Sequence, residues 1–374
     1  MKISDKPLVS LDEIALIPTI RSYVNSRKEV YPFDENGKLP IFVAPMTCII
    51  DKYNYDLFNS KSYAIRPVRP DSFKNNENLS DGWLACPFDV FKNLINNAAD
   101  KKKYYNGNYF ICVDMANGHM RVLYDYVKMF KQYFPNSKIM IGNIANPETY
   151  VECCLSGVDY VRVGIGGGSG CTTSVYTGFH NSLVNMLETT TFLKQEFKKG
   201  HFGSQYTLTK VVADGGIDSI GKAIKCLALG ADYVMMGKLF AQCEESAAKK
   251  YNVSSINDLR LIVKNDFLTV SKDLLKKFDA ISNRSSYLKE IWVKEYYGQA
   301  SEQGQIDRFG MVKSTPEGIT TFIPMEYTYD EFMQLFENYL RSAMSYNSSF
   351  NLEDFIGNVN YQIQTIAEFN LYNK

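Results

Sequence analysis

Residues 210–238 read KVVADGGIDSIGKAIKCLALGADYVMMGK, and this stretch decides the fold. It opens on an apolar run, Lys210 to Ala213, and closes on another, Tyr233 to Met236. Between them Ser219 to Leu229 has the pattern of a helix, and Gly230 fits that helix's end. Two strands joined by a helix make a parallel βαβ unit, because parallel neighbours need a crossover connection.

The same unit recurs toward the N-terminus. Strand candidates lie at Ile41 to Ala44, Tyr63 to Ile65, Trp83 to Cys86, Tyr109 to Val113, Lys138 to Ile141 and Tyr160 to Val163. Helical stretches such as His119 to Tyr133 and Pro147 to Leu155 separate them, with Pro147 suited to a first turn and Gly157 to a helix end. Eight strands alternating with helices give an α/β fold, a parallel (β/α)8 barrel formed as one domain over residues 1–374. A doubly wound open sheet is the alternative that the pattern leaves. The strands end on Asp114, Asn143, Gly164, Asp214 and Gly237, and a barrel builds its site at those ends.

Two segments break the alternation. Asp71 to Asp81 is polar and reads as a connecting loop. Tyr251 to Trp292 is charged and helix-prone, with Leu259, Ile262, Leu274, Leu275 and Phe278 as apolar teeth, and reads as a helical insertion after the eighth strand, packed on the barrel.

The 374 residues are 45% hydrophobic, enough for a large core, and 41 basic residues balance 41 acidic ones. That balance leaves no electrostatic footprint for long nucleic acid, although a small anion needs only a local pocket. No apolar run approaches the ~18 residues of a membrane span, and the first residues lack a signal-peptide pattern. The eight cysteines form no CxxC, and His119, His180 and His201 do not sit at zinc spacing, so reduced thiols in a cytoplasmic protein are expected.

Chemistry concentrates in RVGIGGGSGCTTS, Arg162 to Ser174. Closely spaced glycines let backbone N–H groups approach an anion. Ser169 adds a hydroxyl, and Cys171 follows at once. Taken alone the glycines could form only a flexible turn. A thiol placed directly after a phosphate-type loop is a more specific pattern, since a fixed phosphate would hold the rest of a nucleotide near the sulfur. Asp214-Gly215-Gly216 and Gly237 end two more strands, so three loops converge on one rim as a mononucleotide phosphate site. Asp214 suits ribose hydroxyls. Its other common role, a helix N-cap, falls better to Asp218.

These and other stretches, SLDEIALIP, VAPMTC, VDMANGHM, IGNIANPETY, GIGGGSGCTT, VADGGI, VMMGKLFAQCEES, YYGQASE and LRSAMSY, resemble the family of inosine monophosphate dehydrogenases and guanosine monophosphate reductases, in consistent order from about residue 10 to about residue 350. The resemblance implies a barrel enzyme whose Cys171 attacks purine C2. It implies phosphate contacts at Ser169, Gly215, Gly216, Gly237 and Tyr296, a ribose carboxylate at Asp214, and further substrate contacts at Met46, Asn143, Arg162 and Gly298. The nicotinamide side would be Asp114, Ala116, Asn117, Gly118 and Gly164, and potassium would lie on carbonyls of Gly166, Gly168 and Cys171. It also implies a homotetramer.

The reductase branch is the closer likeness. No tandem CBS regulatory domain follows the second strand, Asp114-Met115-Ala116-Asn117-Gly118 resembles the reductases' motif, and Ser301-Glu302 follows YYGQA as it does in them. The flap, about residues 298–325, is short. The implied reaction is NADPH-dependent conversion of GMP to IMP and ammonia, with Thr173 and Glu302 supplying the proton. Against this, Asp307-Arg308-Phe309 and Thr315-Pro316-Glu317-Gly318 resemble dehydrogenase motifs, which would mean NAD-dependent oxidation of IMP with Arg308 activating water. Arg308 otherwise reads as a solvated surface charge. Gly167, Gly170, Gln299, Arg66-Pro67 and His180-Asn181 depart from the family pattern, which also keeps open a nucleotide-binding protein without catalysis.

Overall fold

A computed structural model describes residues 7–68, 82–100, 107–168, 171–202, 206–263, 269–283 and 290–372 of the chain. Eight parallel strands close into a barrel: β1 (Ile41–Val43), β2 (Tyr63–Pro67), β3 (Trp83–Cys86), β4 (Phe110–Val113), β5 (Lys138–Ile144), β6 (Tyr160–Val163), β7 (Lys210–Asp214) and β8 (Tyr233–Met236). Pairing of β1 with β8, Ile41 opposite Val234, completes the ring and excludes the open sheet. All eight are the strands read from the sequence.

Helices α1 (Tyr55–Lys61), α2 (Phe88–Asp100), α3 (Arg121–Tyr133), α4 (Thr149–Ser156), α5 (Leu183–Lys198), α6 (Ile220–Ala228) and α7 (Tyr329–Tyr346) form the outer layer. Leu123, Tyr124, Val127 and Phe130 give α3 a buried stripe at helical spacing. Gly157 ends α4 in the left-handed conformation expected of a helix-ending glycine. The N-cap of α6 is Ser219, whose side chain accepts from the Lys222 amide. Asp218, expected as that cap, instead pairs with the Lys222 ammonium at 3.0 Å.

The N-terminal end of the barrel is plugged by the first residues of its strands. Phe42 packs against Tyr63, Trp83, Tyr160 and Tyr233, with ring centroids 5.1–5.7 Å apart. A ligand can therefore enter the barrel only from the opposite, C-terminal end.

The stretch after β8 holds the two expected helices, Ile256–Val263 and Lys272–Asn283. It is also bracketed by strands that the sequence reading left out, β9 (Lys250–Val253) and β10 (Ile291–Tyr297). These join β11 (Thr320–Pro324) in an antiparallel sheet. Leu259, Leu274 and Phe278 enter a small core with Val253, Val293 and Phe322, whereas Ile262 and Leu275 face solvent. Residues 298–319, between β10 and β11, reach back over the open end of the barrel. The connecting loop expected at Asp71 to Asp81 lies outside the described residues.

Candidate active site

A cavity of about 520 Å³ opens at the C-terminal end of the strands. Two glycine loops touch there backbone to backbone. Gly164 has φ +116°, and a Cβ on it would come 2.3 Å from the Asp214 carbonyl oxygen. A Cβ on Gly167 would lie 3.1 Å from the Gly215 carbonyl carbon, a close approach. Gly166, Gly168, Gly215, Gly216 and Gly237 line the same wall with Met46, Tyr296 and Gly298. Ser169, expected among them, lies outside the described residues, as does Gly170.

Arg162 lies buried beneath the cavity floor, which Asp114 and Asp214 line. Its Nη2 donates to Asp114 Oδ1 at 3.0 Å and to the Gly142 carbonyl at 3.3 Å, and its Nη1 lies 3.8 Å from Asp214 Oδ2. Asn143 comes from a register irregularity in β5, and its amide donates to the Gly164 carbonyl and to Asp214 Oδ2, both at 2.8 Å.

The two aspartates on this floor titrate in opposite directions. Burial raises the Asp114 carboxyl, but Arg162 and Arg308 at 3.0 and 3.1 Å outweigh it and hold it below the usual range. Asp214 has burial as its largest influence, with one guanidinium at 3.8 Å and a neutral amide, and its carboxyl is raised.

Cys171 is half-buried at the cavity wall, and the other seven cysteines, all free, are buried. Its thiol donates to Thr173 Oγ1 at 3.4 Å, and Thr173 Oγ1 donates to Glu317 Oε2 at 2.6 Å. The Thr172 amide donates to the Glu317 carbonyl, which fixes the flap's return strand beside the thiol.

This geometry corrects two expectations. Glu302 is not on the thiol's side: it is exposed in the first turn of helix Glu302–Phe309 and does not line the cavity. Arg308 is not a solvated surface charge: it is 7% exposed, lines the cavity and donates from Nη1 to Asp114 Oδ2 at 3.1 Å. Helical phase explains both. Ser301 caps the helix, and Gly304, Gln305 and Arg308 form the buried face, from which Glu302 is turned away.

Gln305 bonds the amides of Lys313 and Ser314, and this stitch brings Glu317 back to Thr173. Asp307 accepts from Tyr297 Oη and Thr47 Oγ1, seating the flap on the barrel. Neither Glu317, Gln305 nor Lys238, all in the cavity wall, was among the expected site residues. The spacing of Ser301, Gln305 and Arg308 is the sequence signal that locates this face.

Asp114 and Ala116 line the cavity, but Asn117 and Gly118 do not. Gly118 packs on the end of β5, its amide donating to the Asn143 carbonyl at 2.9 Å. The Gly166 carbonyl accepts from Ser174 Oγ, and the Gly168 carbonyl accepts from the Cys171 amide. A potassium ion on these carbonyls would share them with bonds internal to the loop.

The sequence model of the IMP dehydrogenase / GMP reductase domain matches residues 96–258. The GMP reductase of Lacticaseibacillus casei is 26% identical over 376 residues, 96% of each chain. The inosine-5'-monophosphate dehydrogenase of Chlorobaculum tepidum is 32% identical over 245 residues, 63% of this chain. The chain is therefore similar to proteins of the IMP dehydrogenase / GMP reductase family, over 96% of its length in the case of that reductase. It spans 41% of the length of the Chlorobaculum dehydrogenase and 96% of that of the Lacticaseibacillus reductase. A Tolumonas auensis GMP reductase reaches 39% identity over 142 residues, 38% of each chain. No helix among the described residues is long and apolar enough to cross a membrane.

Proposed function

We propose that this chain is a nicotinamide-dependent oxidoreductase of purine mononucleotides that converts GMP to IMP and ammonia. The observation that carries the reading is the hydrogen-bonded chain from Cys171 through Thr173 to Glu317, set beside the two touching glycine loops. The glycine wall would take the phosphate, Asp214 the ribose, and Met46, Asn143, Tyr296 and Gly298 the rest of the nucleotide.

The Cys171 sulfur adds to C2, forming a C–S bond, as its proton passes through the Thr173 hydroxyl to the Glu317 carboxylate. The 2-amino group is a poor leaving group until protonated, and a proton passes from Glu317 through the Thr173 hydroxyl to that nitrogen. Ammonia leaves while purine stays on Cys171. Bound NADPH would supply the hydride that C2 then receives. The C–S bond breaks, the thiolate returns to Cys171, and IMP is free. Splitting the displacement this way replaces one difficult step by two easier ones.

Asp114 and Ala116 fit the nicotinamide side as a carboxylate for ribose hydroxyls and an open wall. Because Arg308 occupies Asp114 Oδ2, binding there would displace or share that guanidinium. The same contact favours a second reading, oxidation of IMP by NAD with Arg308 drawn toward the reacting centre. Potassium, a homotetramer and a cytoplasmic site follow from family resemblance.

Nicotinamide absorbance decides between the readings. Purified protein should consume NADPH with GMP and release ammonia. Reduction of NAD with IMP in its place would establish the dehydrogenase, and turnover of neither pair would leave a binding protein without catalysis.

A further inference from the structure

Lys238 stands directly after Gly237 on the glycine-rich rim and lines the same cavity. Its side chain is only 15% exposed. The ammonium does not point to an unpaired void: Nζ bonds Asp273 Oδ2 at 2.7 Å, on helix Lys272–Asn283 of the insertion. Asp273 is itself 51% exposed. A pair with one exposed member is weak, so it can be exchanged cheaply for a better anion.

The charges around the rim make Lys238 distinctive. Arg162 and Arg308 are committed to Asp114. Lys222, which does not line the cavity, is held by Asp218, which does, and by Asp12. Lys238 is the cation in the cavity lining that sits at the glycine rim, and its partner belongs to a segment the barrel chemistry does not use.

From this arrangement we infer that Lys238 binds the 5′-phosphate of the nucleotide, and that Asp273 competes with that phosphate for it. The inference rests on the purine-mononucleotide reading and gives the insertion a role: it holds the phosphate-binding lysine in an ion pair until a dianion arrives. A phosphate dianion offers two charges and several acceptor oxygens where Asp273 offers one charge in a wet setting. Binding would therefore break the Lys238–Asp273 pair while Leu274 and Phe278 keep helix Lys272–Asn283 in its core.

Calorimetric titration of the full chain tests this with GMP, guanosine and ribose 5-phosphate. Lys238→Ala should weaken GMP and ribose 5-phosphate by roughly ten- to a hundredfold and leave guanosine unchanged. Asp273→Asn should tighten both phosphates by about two- to fivefold, a gain that a damaged fold would not produce. In the double variant the Asp273→Asn gain should vanish. Equal loss for GMP and guanosine, an unchanged affinity in Lys238→Ala, or weaker binding in Asp273→Asn would overturn the inference while leaving the purine reading intact. Lys238-dependent binding of ribose 5-phosphate without binding of any purine nucleotide would uphold Lys238 and discard the purine reading.

Discussion

The barrel rim and the flap both supply walls to one cavity, but their side chains are positioned by different rules. A rim residue stands where a strand ends. Gly164, Asp214 and Gly237 follow β6, lie in β7 and follow β8, and the closed hydrogen-bonded ring leaves each strand end almost no freedom. A flap residue stands where a helix's phase puts it. One residue's shift turns a side chain by about 100°, which is enough to send Glu302 into solvent while Arg308 enters the cavity. Rim chemistry follows from position along the chain, and flap chemistry from angle around a helix.

The comparison breaks most visibly if the rim nucleophile is dispensable. Cys171→Ala removes the sulfur while keeping the Gly168–Cys171 turn and the bridge to Gly318. Turnover of GMP should fall on the order of 10⁴-fold or more, with nucleotide affinity changed little. Labelling with iodoacetamide should modify Cys171 before any of the seven buried cysteines, and GMP should protect it. Activity retained in Cys171→Ala would remove the covalent mechanism.

The flap arm gives the next largest effect and separates helix phase from sequence likeness. Glu317→Gln keeps the shape beside Thr173 and removes the ionisable oxygen, so kcat should fall by roughly 10²-fold or more. Glu302→Gln should stay within about twofold of the parent, as surface substitutions do. The reverse order of the two losses would mean that the working flap turns its helix by most of a half-turn from the arrangement described.

The sequence disclosed the eight barrel strands because each holds a short apolar run, and four of them run straight into Asp114, Gly164, Asp214 or Gly237. It disclosed the rim residues for the same reason. The insertion's strands were less visible. Ile291–Tyr297, IWVKEYY, carries Lys294 inward, fully buried and bonded to the Glu244 carbonyl and to the Ser246 carbonyl and hydroxyl, and so mimics a charged surface run. Burial pushes that ammonium down to about 8. Lys238 was quoted within a motif yet given no task, since its partner lies 35 residues on in a segment read only as helix. Glu302 was drawn by resemblance of a short motif, whereas the Ser301, Gln305 and Arg308 spacing carried the physical information.

The smallest effects lie within the rim itself, between its two aspartates, and there the sign matters more than the size. Asp114 has a depressed carboxyl, so its charge contributes stability above the unfolded pKa of about 3.9, and that contribution is lost as pH falls through the lower folded value. Asp114→Asn strands Arg162 and Arg308 in the interior, and breaking a buried pair costs about 3–5 kcal/mol. Its deficit in Tm should therefore be clear at pH 7 and shrink below about pH 4. Asp214 has a raised carboxyl, so its charged form is disfavoured by folding, and stability is regained as pH falls through the folded value. Asp214→Asn removes that penalty and keeps an acceptor for the Asn143 amide. In the absence of nucleotide it should leave Tm unchanged or raise it by about 1–3 °C at pH 7, while weakening GMP more than ribose-free phosphate. Thermal melts from pH 3 to 8 on both variants measure the two signs. A loss of Tm in Asp214→Asn matching that of Asp114→Asn would show the floor to be one ion network with both carboxylates structural, and would leave the ribose role of Asp214 without its physical basis.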